Sequence, residues 1–260
     1  MTNPPTSKRT GARRRSDIPT AILAQLNQGE IETANLVEGL AVRFDLLLKS
    51  ICPDAPQALL RQVADDSLGI TRRMQVVGTW LATSQPANSF DELRQHRSDT
   101  VRGWAAYQLA ELEPTSISRL LKRIEPLADD PHFGVREWAW IAIRPLLSMQ
   151  LEESISRLTP WTRSRSENIR RFAAEVLRPR GVWCAHIAEL KETPHLGLPL
   201  LEPLLADPAK YVQDSVSNWL SDAAKTQPDW VEATLQRWEH ESPVAATERI
   251  VGRVRKRMQR

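Results

Sequence analysis

Between residues 157 and 180 the chain places seven arginines, Arg157, Arg163, Arg165, Arg170, Arg171, Arg178 and Arg180, against only Glu167 and Glu175. A guanidinium stays charged at neutral pH and presents a planar fork of donors, so a stretch of this kind suits a polyanion. The plainer reading is a solvated helix face. The run closes in Arg178-Pro179-Arg180-Gly181-Val182-Trp183, where Pro and Gly stop a helix and leave two arginines and a tryptophan at its exit. Loops held by a rigid scaffold often carry function. Other chemistries find little material. Cys52 and Cys184 lack paired spacing and a His cluster, His186 and His195 have no ligand set or Ser/Cys partner beside them, and no Gly-rich phosphate loop occurs. No metal and no other cofactor is expected, and unpaired cysteines point to a reducing, cytoplasmic setting.

The elements that must position these residues are marked by a repeat. Val101-Arg102-Gly103-Trp104-Ala105, Val135-Arg136-Glu137-Trp138-Ala139 and Ile169-Arg170-Arg171-Phe172-Ala173 set arginines at 102, 136 and 170, two intervals of 34 residues. A looser copy, Asp207-Pro208-Ala209-Lys210-Tyr211-Val212-Gln213, follows after 43, with Gln213 in the Arg position; Asp130-Pro131 precedes the second copy in the same way. Asp-Pro followed by Val-Arg is HEAT-like. The Asp caps the second helix of each pair, Pro fits its first turn, Val and the aromatic fill the core, and Arg lies on the adjoining face. Tetratricopeptide repeats share the period, but their Leu-Gly and Tyr pattern is absent. The expected fold is all-α, an α-solenoid or superhelix of HEAT-like helical repeats. Helices are predicted over 18–27, 31–51, 55–64, 70–83, 98–112, 116–128, 133–148, 151–163, 166–177, 186–192, 197–205, 210–225, 228–240 and 244–257, with Gln85-Pro86-Ala87-Asn88 as a break.

Composition agrees: 260 residues, 41% hydrophobic, with ten glycines and two tyrosines, favour one helical domain over many strands and turns. No stretch approaches 18 apolar residues, and no apolar segment follows the basic start, so membrane insertion and secretion are not expected. Five basic groups in residues 1–16 and five in 253–260 account for more than the net charge of +3; without them the body stands at −7. The expected organisation is a basic, disordered tail over 1–17, a single repeat domain over 18–252, and a basic tail over 253–260.

Two blocks carry a family resemblance. Ser166-Glu167-Asn168-Ile169-Arg170-Arg171-Phe172-Ala173-Ala174-Glu175, continuing through Arg178-Pro179-Arg180 to Trp183, resembles the bacterial alkylpurine DNA glycosylases of the AlkC/AlkD superfamily, closest to the AlkC side. Tyr211 through Lys225, with Pro228-Asp229 and Trp238, is similar to that family's last repeat, and Ile18-Pro19 with Leu26 through Thr33 to its opening segment.

The resemblance implies a monofunctional glycosylase that removes cationic N3- or N7-alkylated purines from DNA. Such a base leaves readily, so carboxylates that stabilise an oxocarbenium-like sugar and position water suffice. Glu175 and Asp222 match acidic positions of the family and are the expected catalytic pair. Asn218, one turn before Asp222, shares its face. Where the family carries an acid before Ala-Ile-Arg-Pro, this chain reads Trp140-Ile141-Ala142-Ile143-Arg144-Pro145, with Glu137 one turn earlier. Trp140, Trp183, Glu137, Asn218 and Trp219 are the expected substrate pocket; Trp138, at a repeat core position, is structural. Arg136, Arg144, Arg170, Arg171, Arg178 and Arg180 are expected on DNA phosphates, with salt-sensitive and sequence-independent binding of duplex DNA by a monomer.

A second class stays open: a noncatalytic HEAT-like module holding DNA or a protein partner, favoured by Trp140, Gln213 and the acidic body. Under that reading Glu175 pairs with Arg171 or Arg178, and Asp222 with Lys225, as helix-surface pairs.

Overall fold

The computed structural model describes residues 9–84 and 89–259; the expected break at 85–88 and the first eight residues of the basic N-terminal stretch lie outside them. Among the described residues there is no strand. Packing divides them into two compact units, one holding residues up to Leu112 with His132–Trp138, the other Glu113–Pro131 with the residues from Ala139 onward.

The first unit contains α1 (Thr20–Gln28), α2 (Leu36–Ala41), α3 (Phe44–Ile51), α4 (Gln57–Ala64), α5 (Ile70–Ser84), α6 (Ser89–Leu93) and α7 (Asp99–Leu112). The second contains α8 (Ile117–Ala128), α10 (Leu151–Leu158), α11 (Glu167–Glu175), α12 (Ala188–Glu192), α13 (Leu198–Leu201), α14 (Lys210–Ala224), α15 (Pro228–Glu241) and α16 (Ala245–Met258). Between α8 and α10 runs α9 (Phe133–Met149), whose residues up to Trp138 group with the first unit and the rest with the second.

The repeat positions form the core as expected. Val101, Trp104, Val135, Trp138, Ile169 and Phe172 are all buried, and the alanine after each aromatic is fully enclosed. Burying a side chain of this size contributes about 1.5–3 kcal/mol. The repeat arginine has a different role from the adjoining-face one expected. Arg102 donates through Nη1 to the carbonyls of His96 (2.8 Å) and Arg97 (3.1 Å), six and five residues back, and pairs with Glu32. Arg170 repeats this on Ser164 (2.9 Å) and Arg165 (3.1 Å) and pairs with Asp207. Gln213, at the same position of the fourth copy, reaches the carbonyl six residues back, Asp207, at 2.7 Å. In these three copies the side chain ties the helix start to the joint before it, the arginines through two carbonyls and the Gln213 amide through one.

Three expectations change. The helix predicted over 31–51 is broken: Asn35 caps α2 by accepting from the Glu38 amide at 3.0 Å, Thr33 turns inward to Asp99, and the Arg43 amide donates to Asn27 Oδ1 at 2.8 Å. Residues 197–205 form only one turn of α-helix between two 3₁₀ turns, with Pro199 and Pro203 near their starts. The C-terminal residues from 253 continue α16 to Met258 in place of a tail, because Ile250, Val251 and Val254 are buried and Arg255 pairs with Glu232 and Glu239. At the other end Arg9 is also engaged, donating to Glu38 at 2.5 and 2.8 Å.

Candidate active site

The site is assembled in the second unit from the end of α11, the loop that follows it, α14 and α16. Ser166 caps α11 by accepting from the Asn168 amide at 3.2 Å, and Ile169, Phe172 and Ala173 bury its inner face. The helix stops at Glu175. Its carbonyl end is held by Arg144, whose Nη1 donates to the Val176 carbonyl and Nη2 to the Arg178 carbonyl, both at 2.6 Å, while Nε and Nη2 reach the Ala185 carbonyl at 3.3 and 3.2 Å. Arg144 was expected on DNA phosphate. It is instead buried, satisfying the orphaned carbonyls of a helix terminus.

Glu175 and Asp222 come together around one cation. Arg178 donates from Nη1 to Glu175 Oε1 at 2.6 Å and from Nε to Asp222 Oδ2 at 2.9 Å, and its Nη2 forms an ion pair with the same Asp222 oxygen at 2.8 Å. Ser215, one helical face along α14, donates to Glu175 Oε2, and Arg171 stands 3.8 Å from the same oxygen. Glu175 thereby has partners on both oxygens. Among the described residues, Asp222 Oδ1 has only Lys225, at 3.7 Å. Both carboxylates are buried, 2% and 4% exposed, so these are not helix-surface pairs.

Environment drives the two acids apart. Burial pushes Glu175 up, but the charges of Arg171 and Arg178 and the hydrogen bonds from Ser215 and Arg178 together outweigh it, and its pKa lies below the ordinary value. For Asp222 burial wins: the charge and hydrogen bond of Arg178, with Lys225, offset it only in part, and its pKa is raised. Two neighbouring carboxyls separated in this way are the usual arrangement where one acts and the other supports.

Asp222 and Arg178 open onto a cavity of about 560 Å³, lined also by Val182, Asn218, Lys225 and Arg257. That volume suits a small ligand. Of the expected pocket residues, Asn218 lines it. Trp183, in the adjoining loop, is 48% exposed with its backbone in the left-handed region at φ 61°. A non-glycine residue held there is strained, which is most often seen at functional sites.

Trp140 and Trp219 are corrections. Both are buried in the core, and the Trp219 indole donates to the Leu177 carbonyl at 3.0 Å, so neither presents a face to a ligand. Glu137 and Arg136, both half-buried, group with the first unit.

Among the other expected phosphate contacts, Arg170 is tied to Asp207 at 2.6 Å and to two carbonyls. Arg171 lies with its guanidinium 4.4 Å over the Tyr211 ring, and Arg178 is held by the carboxylates. Arg180 remains half-exposed, with Nε on the Asp222 carbonyl at 3.3 Å. Sequence reasoning missed Ser215, Lys225 and Arg257. Ser215 lies seven residues before Asp222, on the same face of one helix, which is the one signal that pointed to it.

Residues 135–249, which span both carboxylates and the Arg178 loop, match the model of the DNA alkylation repair enzyme family. That match takes in 115 of the chain's 260 residues, and over them the chain is similar to that family. The Bacillus subtilis protein YhaZ, itself uncharacterized, is 39% identical over 97 residues, 37% of this chain and 27% of YhaZ. Among solved structures, the Pseudomonas fluorescens alkylpurine DNA glycosylase AlkC, bound to DNA containing an abasic site analog, superposes with a TM-score of 0.60 at 22% identity, over 82% of this chain and 60% of AlkC. AlkD2 from Streptococcus mutans superposes with a TM-score of 0.60 at 21% identity, over 77% of this chain and 97% of AlkD2. At these identities the superpositions establish a shared all-α, helical-repeat fold. The chain spans about a quarter of YhaZ and three-fifths of AlkC. Among the described residues, no helix is long and apolar enough to cross a membrane.

Proposed function

We propose that this AlkC/AlkD-like chain repairs alkylated DNA as a monofunctional glycosylase, hydrolysing the N-glycosidic bond of cationic N3- or N7-alkylpurines. The observation that carries the reading is a buried carboxylate, Asp222, with one oxygen locked by Arg178 and the other left to Lys225 at 3.7 Å, in the wall of a cavity also lined by Arg178, Lys225 and Arg257. As the glycosidic bond breaks, its electrons neutralise the departing base, and positive charge moves to the sugar. Asp222, buried in the cavity wall, meets that charge where a fixed anion acts more strongly than in water. Water adds to the sugar carbon, and its proton passes to Asp222 or to solvent. Glu175 has no open oxygen: it holds Arg178, which aims Asp222, and is a positioning residue. In this reading Asn218, in the cavity wall, meets the base, with Trp183 and Arg180 in the adjoining loop left for the rest of the DNA.

One observation favours the noncatalytic reading, a module that holds DNA or a protein partner: Arg178 neutralises the very carboxylates that chemistry requires, with Trp140 buried where the family carries an acid. Incubation with DNA carrying N3-methyladenine and N7-methylguanine, with free base as the readout, separates the two. Release that falls at least ~100-fold in Asp222→Asn supports the enzyme. No release by the wild-type protein, with salt-sensitive DNA binding intact, leaves the scaffold.

A further inference from the structure

Three arginines of α16, Arg249, Arg253 and Arg257, stand four residues apart and meet α14 in register. Arg249 pairs with Asp214 at 2.6 Å, and Arg253 reaches the same oxygen at 3.4 Å. One turn further, the residue that α14 presents is an amide. Arg257 Nη1 donates to Asn218 Oδ1 at 2.6 Å and reaches Ser221 Oγ at 3.4 Å. The remaining arginine of the helix, Arg255, is held by Glu232 and Glu239. Among the described residues, Arg257 is therefore the arginine of α16 whose partners are neutral, and its Nε and Nη2 make no hydrogen bond there. Its fork is aimed by two neutral acceptors and keeps donors to spare at the wall of the cavity that holds Asp222.

We infer that Arg257 is the anion-binding residue of this cavity and receives a backbone phosphodiester of DNA. The inference rests on the DNA-repair reading above and assigns the charges within its site. A cationic purine or sugar cannot settle against a guanidinium, so Arg257 must meet the anionic part of the nucleotide while Asp222 meets the cationic part. A planar fork with two free donor positions matches a phosphate bidentately. The last turn of the C-terminal helix, from its sequence a solvated tail, is then part of the site.

The test is fluorescence anisotropy of the full chain with a labelled duplex, undamaged or carrying a tetrahydrofuran abasic analogue, across a series of KCl concentrations. Arg257→Gln is expected to weaken binding about 5- to 10-fold and to lower the salt slope by about 0.9, the loss of one phosphate contact. Arg257→Lys is expected to keep the slope with part of the affinity. Lys256→Gln, an exposed charge next door that does not line the cavity, is expected to change affinity less than about twofold. Equal effects at 256 and 257 reduce Arg257 to general surface charge and overturn the inference. So does Arg257→Gln with unchanged slope, or a wild-type protein that binds neither duplex. Absence of base release with these binding effects intact sinks the glycosylase alone.

Discussion

Arg178 holds a single oxygen of Asp222 twice, by a hydrogen bond from Nε at 2.9 Å and an ion pair from Nη2 at 2.8 Å, at the wall of the cavity that both residues line. The same guanidinium holds Glu175 at 2.6 Å. One cation thus fixes two buried anions, Glu175 of α11 and Asp222 of α14, the second lying 44 residues from Arg178 in the chain.

Removing that cation leaves Glu175 with Ser215 and Arg171, at 3.8 Å, and Asp222 with Lys225, at 3.7 Å, so both buried carboxylates lose their short ion pair. Arg178→Met is expected to destabilise the protein by about 3–5 kcal/mol in urea denaturation at neutral pH. Loss of under about 1 kcal/mol would mean that the carboxylates reach solvent or other partners.

The opposed shifts of the two acids have opposite signs in stability. Glu175, below its ordinary value of 4.5, contributes stability that is present above that pH and is lost as pH falls through its folded pKa. Glu175→Gln should flatten that acid limb. Asp222, above its ordinary 3.8, favours the folded state when protonated, and this contribution is lost as pH rises through its raised pKa. In the proposed mechanism base release needs Asp222 ionised, so the pH–rate profile should fall on its acid side at a higher pH than an ordinary aspartate gives. An activity profile flat down to pH 3.8 would remove Asp222 from the chemistry.

Arg144 separates structural from DNA-facing arginines. Arg144→Met strips donors from the carbonyls of Val176, Arg178 and Ala185 and should cost about 3 kcal/mol of stability. The salt dependence of DNA binding by the folded variant should be unchanged. A lower slope would put Arg144 back on phosphate.

In the first unit, Gly78 of α5 lies against α7. A Cβ there would stand 2.3 Å from Tyr107 Cβ and 2.8 Å from its carbonyl carbon. Helix propensity alone favours Ala over Gly by about 1 kcal/mol. Gly78→Ala is nonetheless expected to destabilise by about 1–3 kcal/mol, since backbone cannot yield as a side-chain tip does. A melting temperature equal to or above that of the wild type would refute the close approach.

The sequence by itself determined the helices, the repeat and its core. Val, aromatic and Ala at a constant helical offset must bury together, and Trp104, Trp138 and Phe172 do so. The residues that carry the family resemblance, including Glu175, Arg178 and Asp222, were legible as well, because their order along the chain is itself the signal. What only the tertiary structure decided was where each charge points. Arg102, Arg144 and Arg170 look on paper like arginines for a polyanion, yet each spends its donors on nearby carbonyls. Arg257 looks like part of a tail, yet the register of α16 on α14 sets it opposite Asn218 instead of Asp214. Periodicity is a local property of the backbone and survives in the sequence. The partner of a charged side chain is set by how helices distant in the chain align, and a shift of one turn exchanges an acid for an amide.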